Sequence, residues 1–219
     1  MAEERKTDKN REIDIKTGAK EERNCPSFGT VQDYCAVLKN SMTAERWLHS
    51  LGVAETAKKM AEFWGADPEK AWLAGIFHDY ARELPYRQLM EIAQENGLDI
   101  LDEERDNPVV LHAPVGAFLV KKDFSITDGE ILSAISKHTV GGECLTLLDK
   151  IIFLADMVEP SRNWPGVDKL RAKVYQDLDQ TMAEAIEGTI EYLQEKGCKV
   201  HPVTLKAWHQ IKERETNRE

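Results

Sequence analysis

No two of the four cysteines, Cys25, Cys35, Cys144 and Cys198, stand in a C-x-x-C spacing. That argues against a zinc ribbon and offers no disulfide framework, so reduced thiols and a cytoplasmic setting are expected. No apolar run approaches the roughly 20 residues of a membrane span. The opening MAEERKTDKNREIDIKTGAKEERN has no apolar stretch and does not read as a secretory signal. An excess of basic residues is missing as well. The formal net charge is −10, which disfavours an extended nucleic-acid surface, because such surfaces are normally basic. There is no GxxxxGK[ST] phosphate loop, no GxGxxG, no HExxH and no GxSxG elbow. Strand-type alternation and internal repeats are absent too.

What remains is helical periodicity in a chain of 219 residues, 42% of them apolar. Residues 1–27 carry both charge signs and few apolar groups, and read as a charged tail without a core of its own. Residues 28–219 read as one all-α domain. VQDYCAVLKN is a short helix. Thr43 caps a long one, AERWLHSLGVAETAKKMAEFW, which Gly65 ends. Asp67 and Pro68 start ADPEKAWLAGIFHDYAREL. PYRQLMEIAQEN runs from Pro85 to Gly97, and LDILDEERDN is a loop. PVVLHAPVGAFLVKKD is helical in part, with an interruption or restart at Pro114. TDGEILSAISKHT is capped at Thr127 or Asp128. LTLLDKIIFLADMVE ends at Pro160, the loop SRNWPG follows, and two helices close the chain.

Four of these helices share an anomaly. His49 lies on the face of Val53, Ala57 and Met60. His78 follows Ala71, Ala74 and Gly75. His138 follows Ile131, Ala134 and Ile135. Asp156 follows Leu148 and Ile152. These are neighbours at helical spacing, so polar groups sit on apolar stripes. His112, in VVLHAP, lies at a helix boundary, and Asp79 adjoins His78. One such histidine is ordinarily a core residue with a hydrogen-bond partner. Six groups together are better explained by a metal, since buried carboxylates need compensation and no Arg or Lys falls on the same short stripes. His201 and His209 read as ordinary. Gly52, inside a helix at a cost of about 1 kcal/mol, implies either a gap for another backbone or a ligand near His49 or plain helix packing.

His49, His78-Asp79 and Asp156, in this order on separate helices, resemble the HD-domain metal-dependent phosphohydrolases. RWLHSLGVAETA, LAGIFHDYARELP, LHAPVGAFLV, ISKHTVG, LLDKIIFLADMVEPSRNWPGV and HPVT resemble the YqeK family within them, over roughly residues 42–210. The resemblance implies an HD-domain helical bundle whose metal site is built from separate helices. It implies symmetrical cleavage of diadenosine tetraphosphate into two ADP, with two divalent metal ions, iron first. Residue types alone leave Fe, Mn, Co and Zn open. By the same resemblance His49, His78, Asp79 and Asp156 hold one ion, and His112 and His138 a second, with Asp79 bridging. Catalytic roles then fall to Asp79, His112 and His138, around a hydroxide shared by the ions. One departure is Gly142, where many relatives are expected to carry arginine.

Phosphate contacts are expected from Arg82, one turn beyond His78, and from Arg162, just past the Asp156 helix. Arg46, one turn before His49, is expected to meet a phosphate or brace the metal site. Thr139 and Gly141 offer a hydroxyl and a backbone N–H. Lys137 ranks lower, because i, i+1 neighbours point apart. Trp164 and Tyr80 are candidates for base stacking. The expected partner is a small dinucleoside polyphosphate, with no long nucleic acid, no membrane and an oligomer left open. Other HD phosphohydrolase activities (nucleotidase, dNTP hydrolase, cyclic-nucleotide or alarmone hydrolase) and a non-catalytic nucleotide or iron sensor stay open at this point.

Overall fold

The computed structural model describes residues 31–216, so the charged segment 1–27 lies outside the described residues. Among them are eleven α-helices, one short 3₁₀ turn and no strand. No helix among them is long and apolar enough to cross a membrane.

Two helical hairpins and one further helix position everything that matters. The first hairpin is α2 (Ala44–Trp64) with α3 (Pro68–Phe77). Thr43 caps α2 by accepting from the Arg46 N–H. Gly65, at φ 76, ends it in the left-handed conformation that glycine tolerates best. Asp67 then caps α3 by accepting from the N–H groups of Glu69 and Lys70. So short a connection forces antiparallel neighbours. The start of α2 and the end of α3 therefore meet, which brings His49 and His78 together. Small residues allow the approach: a Cβ on Gly75 would lie 2.7 Å from the Cα of Ala54. Glu83 ties the same end, accepting from the N–H and hydroxyl of Thr43 at 2.8 and 2.6 Å.

The second hairpin is α6 (His112–Phe124) with α7 (Gly129–Lys137). His112 begins one arm and His138 directly follows the other, so the same logic makes them neighbours. Helix α8 (Leu147–Val158), capped by Thr146, packs on α2 and α7 and brings Asp156 in on its last turn. Phe77, Met60, Ile76, Ile135, Ile151, Ile152 and Leu154 are fully buried between these helices.

The remaining elements surround this frame. They are α1 (Val31–Ser41), α4 (Tyr86–Glu95), α5 (Asp102–Asp106), the turn Pro108–Leu111, α9 (Val167–Lys173), α10 (Leu178–Glu195) and α11 (Pro202–Thr216). Several differ from the sequence reading. LDILDEERDN contains α5, and α9 follows the SRNWPG loop. The break before α6 falls between Leu111 and His112, not at Pro114. Helix α3 stops at Phe77. The next residues form successive tight turns, with Tyr80, Arg82 and Leu84 donating to carbonyls three residues back. Cys35, Cys144 and Cys198 are free thiols; Cys25 lies outside the described residues.

Candidate metal centre

His49 comes from α2 and Asp156 from α8. His78 caps the end of α3 with helical φ −52 and ψ −37, and Asp79 follows it. His138 caps α7 in the same way, at φ −65 and ψ −19. His112 opens α6. The structure brings all six together: donor atoms of His49, His78 and Asp79, of His78, His138 and Asp156, and of Asp79, His112 and His138 each form a group within 4.8 Å. The four histidines and Asp79 are buried.

The geometry separates into two halves joined by one carboxylate. Asp79 Oδ1 lies 3.0 Å from His112 Nε2 and 3.6 Å from His138 Nε2. Its Oδ2 lies 3.3 Å from His78 Nε2 and 3.6 Å from His49 Nε2. Asp156 Oδ1 joins the second set, 3.0 Å from His49 Nε2 and 3.7 Å from His78 Nε2.

The far side of each ring shows what the near side is for. His78 and His138 donate from Nδ1 to the carbonyls of Gly75 and Ile135, both at 2.7 Å. His112 donates to the Val109 carbonyl. His49 donates to Glu159 Oε1 at 3.1 Å. With Nδ1 carrying the proton, each neutral ring turns an Nε2 lone pair inward. Those lone pairs converge: His49 and His78 Nε2 are 3.2 Å apart, and His112 and His138 Nε2 are 3.0 Å apart. Paired lone pairs this close repel unless a cation lies among them. The donor set therefore fits divalent transition metals, which favour imidazole with carboxylate.

The carboxylates require positive charge at this point. Burial alone would raise the Asp79 carboxyl, but positive charge and N–H donation from the surrounding imidazoles, the role an ion takes over when the rings are neutral, hold it well below the usual range. Asp156 is likewise lowered, with His49, His78 and Arg162 overcoming burial. Burial lowers the His112 pKa, which favours the neutral ring that ligation needs.

The candidate phosphate contacts divide. Arg46 Nη1 holds Asp79 Oδ2 at 2.5 Å. Arg162 pairs with Asp156 Oδ1, donates from Nε to its carbonyl at 2.7 Å, and approaches His49 Nε2 at 3.4 Å. These arginines supply compensation that the apolar stripes themselves lack. The Arg82 N–H donates to the Asp79 carbonyl at 2.9 Å, and its half-buried guanidinium has no partner among the described residues. Thr139 has a buried hydroxyl without a partner. The Gly141 N–H is engaged by the Lys137 carbonyl at 2.9 Å, and its φ of 74 favours glycine. Lys137 pairs with buried Asp149 at 3.1 Å, and its stem runs beside Gly142, where a Cβ would lie 3.0 Å from its Cδ. Tyr80 donates to Asp123 at 3.2 Å and Trp164 to the Met157 carbonyl at 3.1 Å, so both spend their polar atoms internally. His201 and His209 stand outside the donor groups.

Sequence reasoning missed Glu159. It is 1% exposed, accepts from His49, and is itself held by the N–H and hydroxyl of Ser161. Spacing gave only half of the signal: Gly52 stands three residues after His49, on the inward face of α2, but Glu159 lies just past the end of α8 in extended backbone, and only packing brings the two together.

An HD domain model matches residues 46–161, which span every candidate donor. The symmetrical bis(5'-nucleosyl)-tetraphosphatase of Bacillus subtilis is 40% identical over 176 residues, 80% of this chain and 93% of that protein. This chain belongs to the HD-domain family of symmetrical bis(5'-nucleosyl)-tetraphosphatases. The Staphylococcus aureus member is 37% identical over 76% of this chain and 87% of its own length. Among solved structures, a predicted HD superfamily hydrolase involved in NAD metabolism from Clostridium acetobutylicum superposes with a TM-score of 0.83 at 36% identity. The match covers 84% of this chain and 98% of that one.

Proposed function

We propose that this protein cleaves diadenosine tetraphosphate symmetrically into two ADP, using two divalent transition-metal ions, iron foremost. The observation that carries the reading is Asp79: one carboxylate turns each oxygen to a different histidine pair, in a chain whose relatives carry this activity in their names. His49, His78, Asp79 and Asp156 would hold one ion, and Asp79, His112 and His138 the other. When bound, such ions polarise phosphoryl oxygens and supply a nucleophile at neutral pH.

The chain's own groups do the rest. Backbone carbonyls and Glu159 fix the four imidazoles with lone pairs inward, so no reorganisation is needed when substrate arrives. Arg82 meets the phosphate chain with an unengaged guanidinium. Arg46 and Arg162, partly exposed at the rim, oppose the negative charge that develops on the phosphoryl oxygens. The Thr139 hydroxyl donates to a phosphate oxygen. Attack at an inner phosphorus breaks the middle bridge, and each half leaves as a nucleoside diphosphate. A small nucleotide in the cytoplasm is the partner this requires.

The test is anaerobic purification, a metal count per chain, and product identification with diadenosine tetraphosphate beside Asp79→Ala. Two metals per chain and ADP as sole product, both lost in the variant, are expected. ATP plus AMP as products, or full metal loading without turnover, would overturn it. NAD belongs in the same panel because the Clostridium protein is an HD hydrolase ascribed to NAD metabolism; preferential NAD cleavage would replace the reading.

A further inference from the structure

We infer that Glu159 is a positioning residue for His49 and strengthens metal binding in the half of the centre containing His49. The inference rests on the two-metal reading above and goes beyond it, because that half already has the extra donor Asp156 and Glu159 adds to its lead from outside the donor set.

Three imidazoles of the cluster are oriented by neutral carbonyls, those of Gly75, Val109 and Ile135. His49 alone of the four is oriented by a carboxylate, with Nδ1 3.1 Å from Glu159 Oε1. A carboxylate behind the ring draws the Nδ1 proton toward itself and makes Nε2 a stronger donor to a metal than a carbonyl does. Glu159 is built for the task. Its oxygens accept from the Ser161 N–H, at 2.7 Å, and from the Ser161 hydroxyl, so the carboxylate keeps its charge. Its own carbonyl accepts from Arg171 Nη2 at 2.8 Å, which anchors the backbone.

Gly52 supplies the second, independent observation. A Cβ at that position would lie 2.7 Å from Glu159 Oε2. The glycine, costly in mid-helix, leaves room for this carboxylate one turn beyond His49. Sequence reading found Gly52 without finding its reason.

The experiment is a metal titration of the full-length apoprotein with Mn²⁺ under anaerobic conditions, followed by calorimetry, for wild type, Glu159→Gln and Gly52→Ala. Gln keeps the shape and an acceptor for Nδ1–H but removes the charge. Gly52→Ala keeps the charge but displaces it. Wild type is expected to bind in two steps of unequal affinity. In both variants the tighter step should weaken by roughly 10–100-fold, while the weaker step stays put whatever small change the new methyl or amide makes to the unfolding midpoint of the apoprotein. Two steps in Glu159→Gln with wild-type affinities would overturn the inference and leave the metal reading intact. Equal weakening of both steps, with a lowered apoprotein midpoint, would show a merely structural role. Wild type binding no metal would instead overturn the reading beneath it.

Discussion

Arg82 stands three residues past Asp79, and its guanidinium has no hydrogen-bond or ion-pair partner among the described residues, which defines its test. Arg46 and Arg162 are bound to donor carboxylates, so their removal disturbs the centre and the substrate together. Arg82→Ala separates the two. A hydrogen bond to a charged group is worth about 1.5–3 kcal/mol, so kcat/KM should fall roughly 10–100-fold with the metal count unchanged. Steady-state kinetics beside elemental analysis checks it, and a wild-type kcat/KM would remove Arg82 from the substrate contacts. At this scale the sequence was informative wherever a polar residue broke an apolar stripe, as His49, His138 and Asp156 do. It was silent where the signal was a relation between two helices. Glu159 sits at a helix end beside Pro160 and reads as ordinary there. Only packing shows that it faces the gap left by Gly52.

At the scale of elements, helices with both ends marked were legible and unmarked ones were not. Thr43 and Gly65 bound α2, and Asp67 with Pro68 starts α3, because caps satisfy orphan backbone groups with recognisable side chains. Helix α5 is DEERD, with no apolar stripe to reveal it, and α9 has seven residues, too few for a period to show. The end of α3 was hidden because His78 keeps helical angles one residue past the last helical bond. The hairpin of α2 and α3 depends on close backbone contact at Gly75. A methyl there meets the Cα, N and neighbouring carbonyl carbon of α2 at 2.7–3.2 Å, and backbone cannot step aside as a side-chain tip can. Gly75→Ala should therefore destabilise the fold by about 1–3 kcal/mol, despite the better helix propensity of Ala. It should also move His78 relative to His49. Urea unfolding of the apoprotein measures the first effect, and Mn²⁺ affinity the second. A gain in stability would mean that the two helices are not held at this spacing.

For the whole molecule, the cluster sets folding against function. It gathers four imidazoles and the carboxylates of Asp79, Asp156 and Glu159 at the meeting of two hairpins and α8, where an apolar core would be more stable. Metal binding offsets this, because the donors converge only in the folded chain. A ligand at 100 times its Kd adds about 2.7 kcal/mol to stability. In a chain of this size about 1 kcal/mol moves Tm by roughly 2–4 °C, so each occupied half should raise Tm by roughly 5–10 °C. Asp79 serves both halves and His112 only one. Asp79→Asn should therefore abolish most of the rise, whereas His112→Ala should keep about half. The pH dependence has a definite sign. Ligation needs neutral rings, so the metal-dependent rise is full above the imidazole pKa range and disappears as pH falls through it. His112, its pKa lowered by burial, should protonate at lower pH than a free imidazole, so its own contribution to the rise should persist below the ordinary imidazole range. Thermal melts with Mn²⁺ and with chelator, from pH 8 down to pH 5, measure all of this. Identical Tm values with metal and with chelator at pH 8 would mean that the converging lone pairs are closed by protons alone, and the cluster would then be a buried polar network rather than a metal centre.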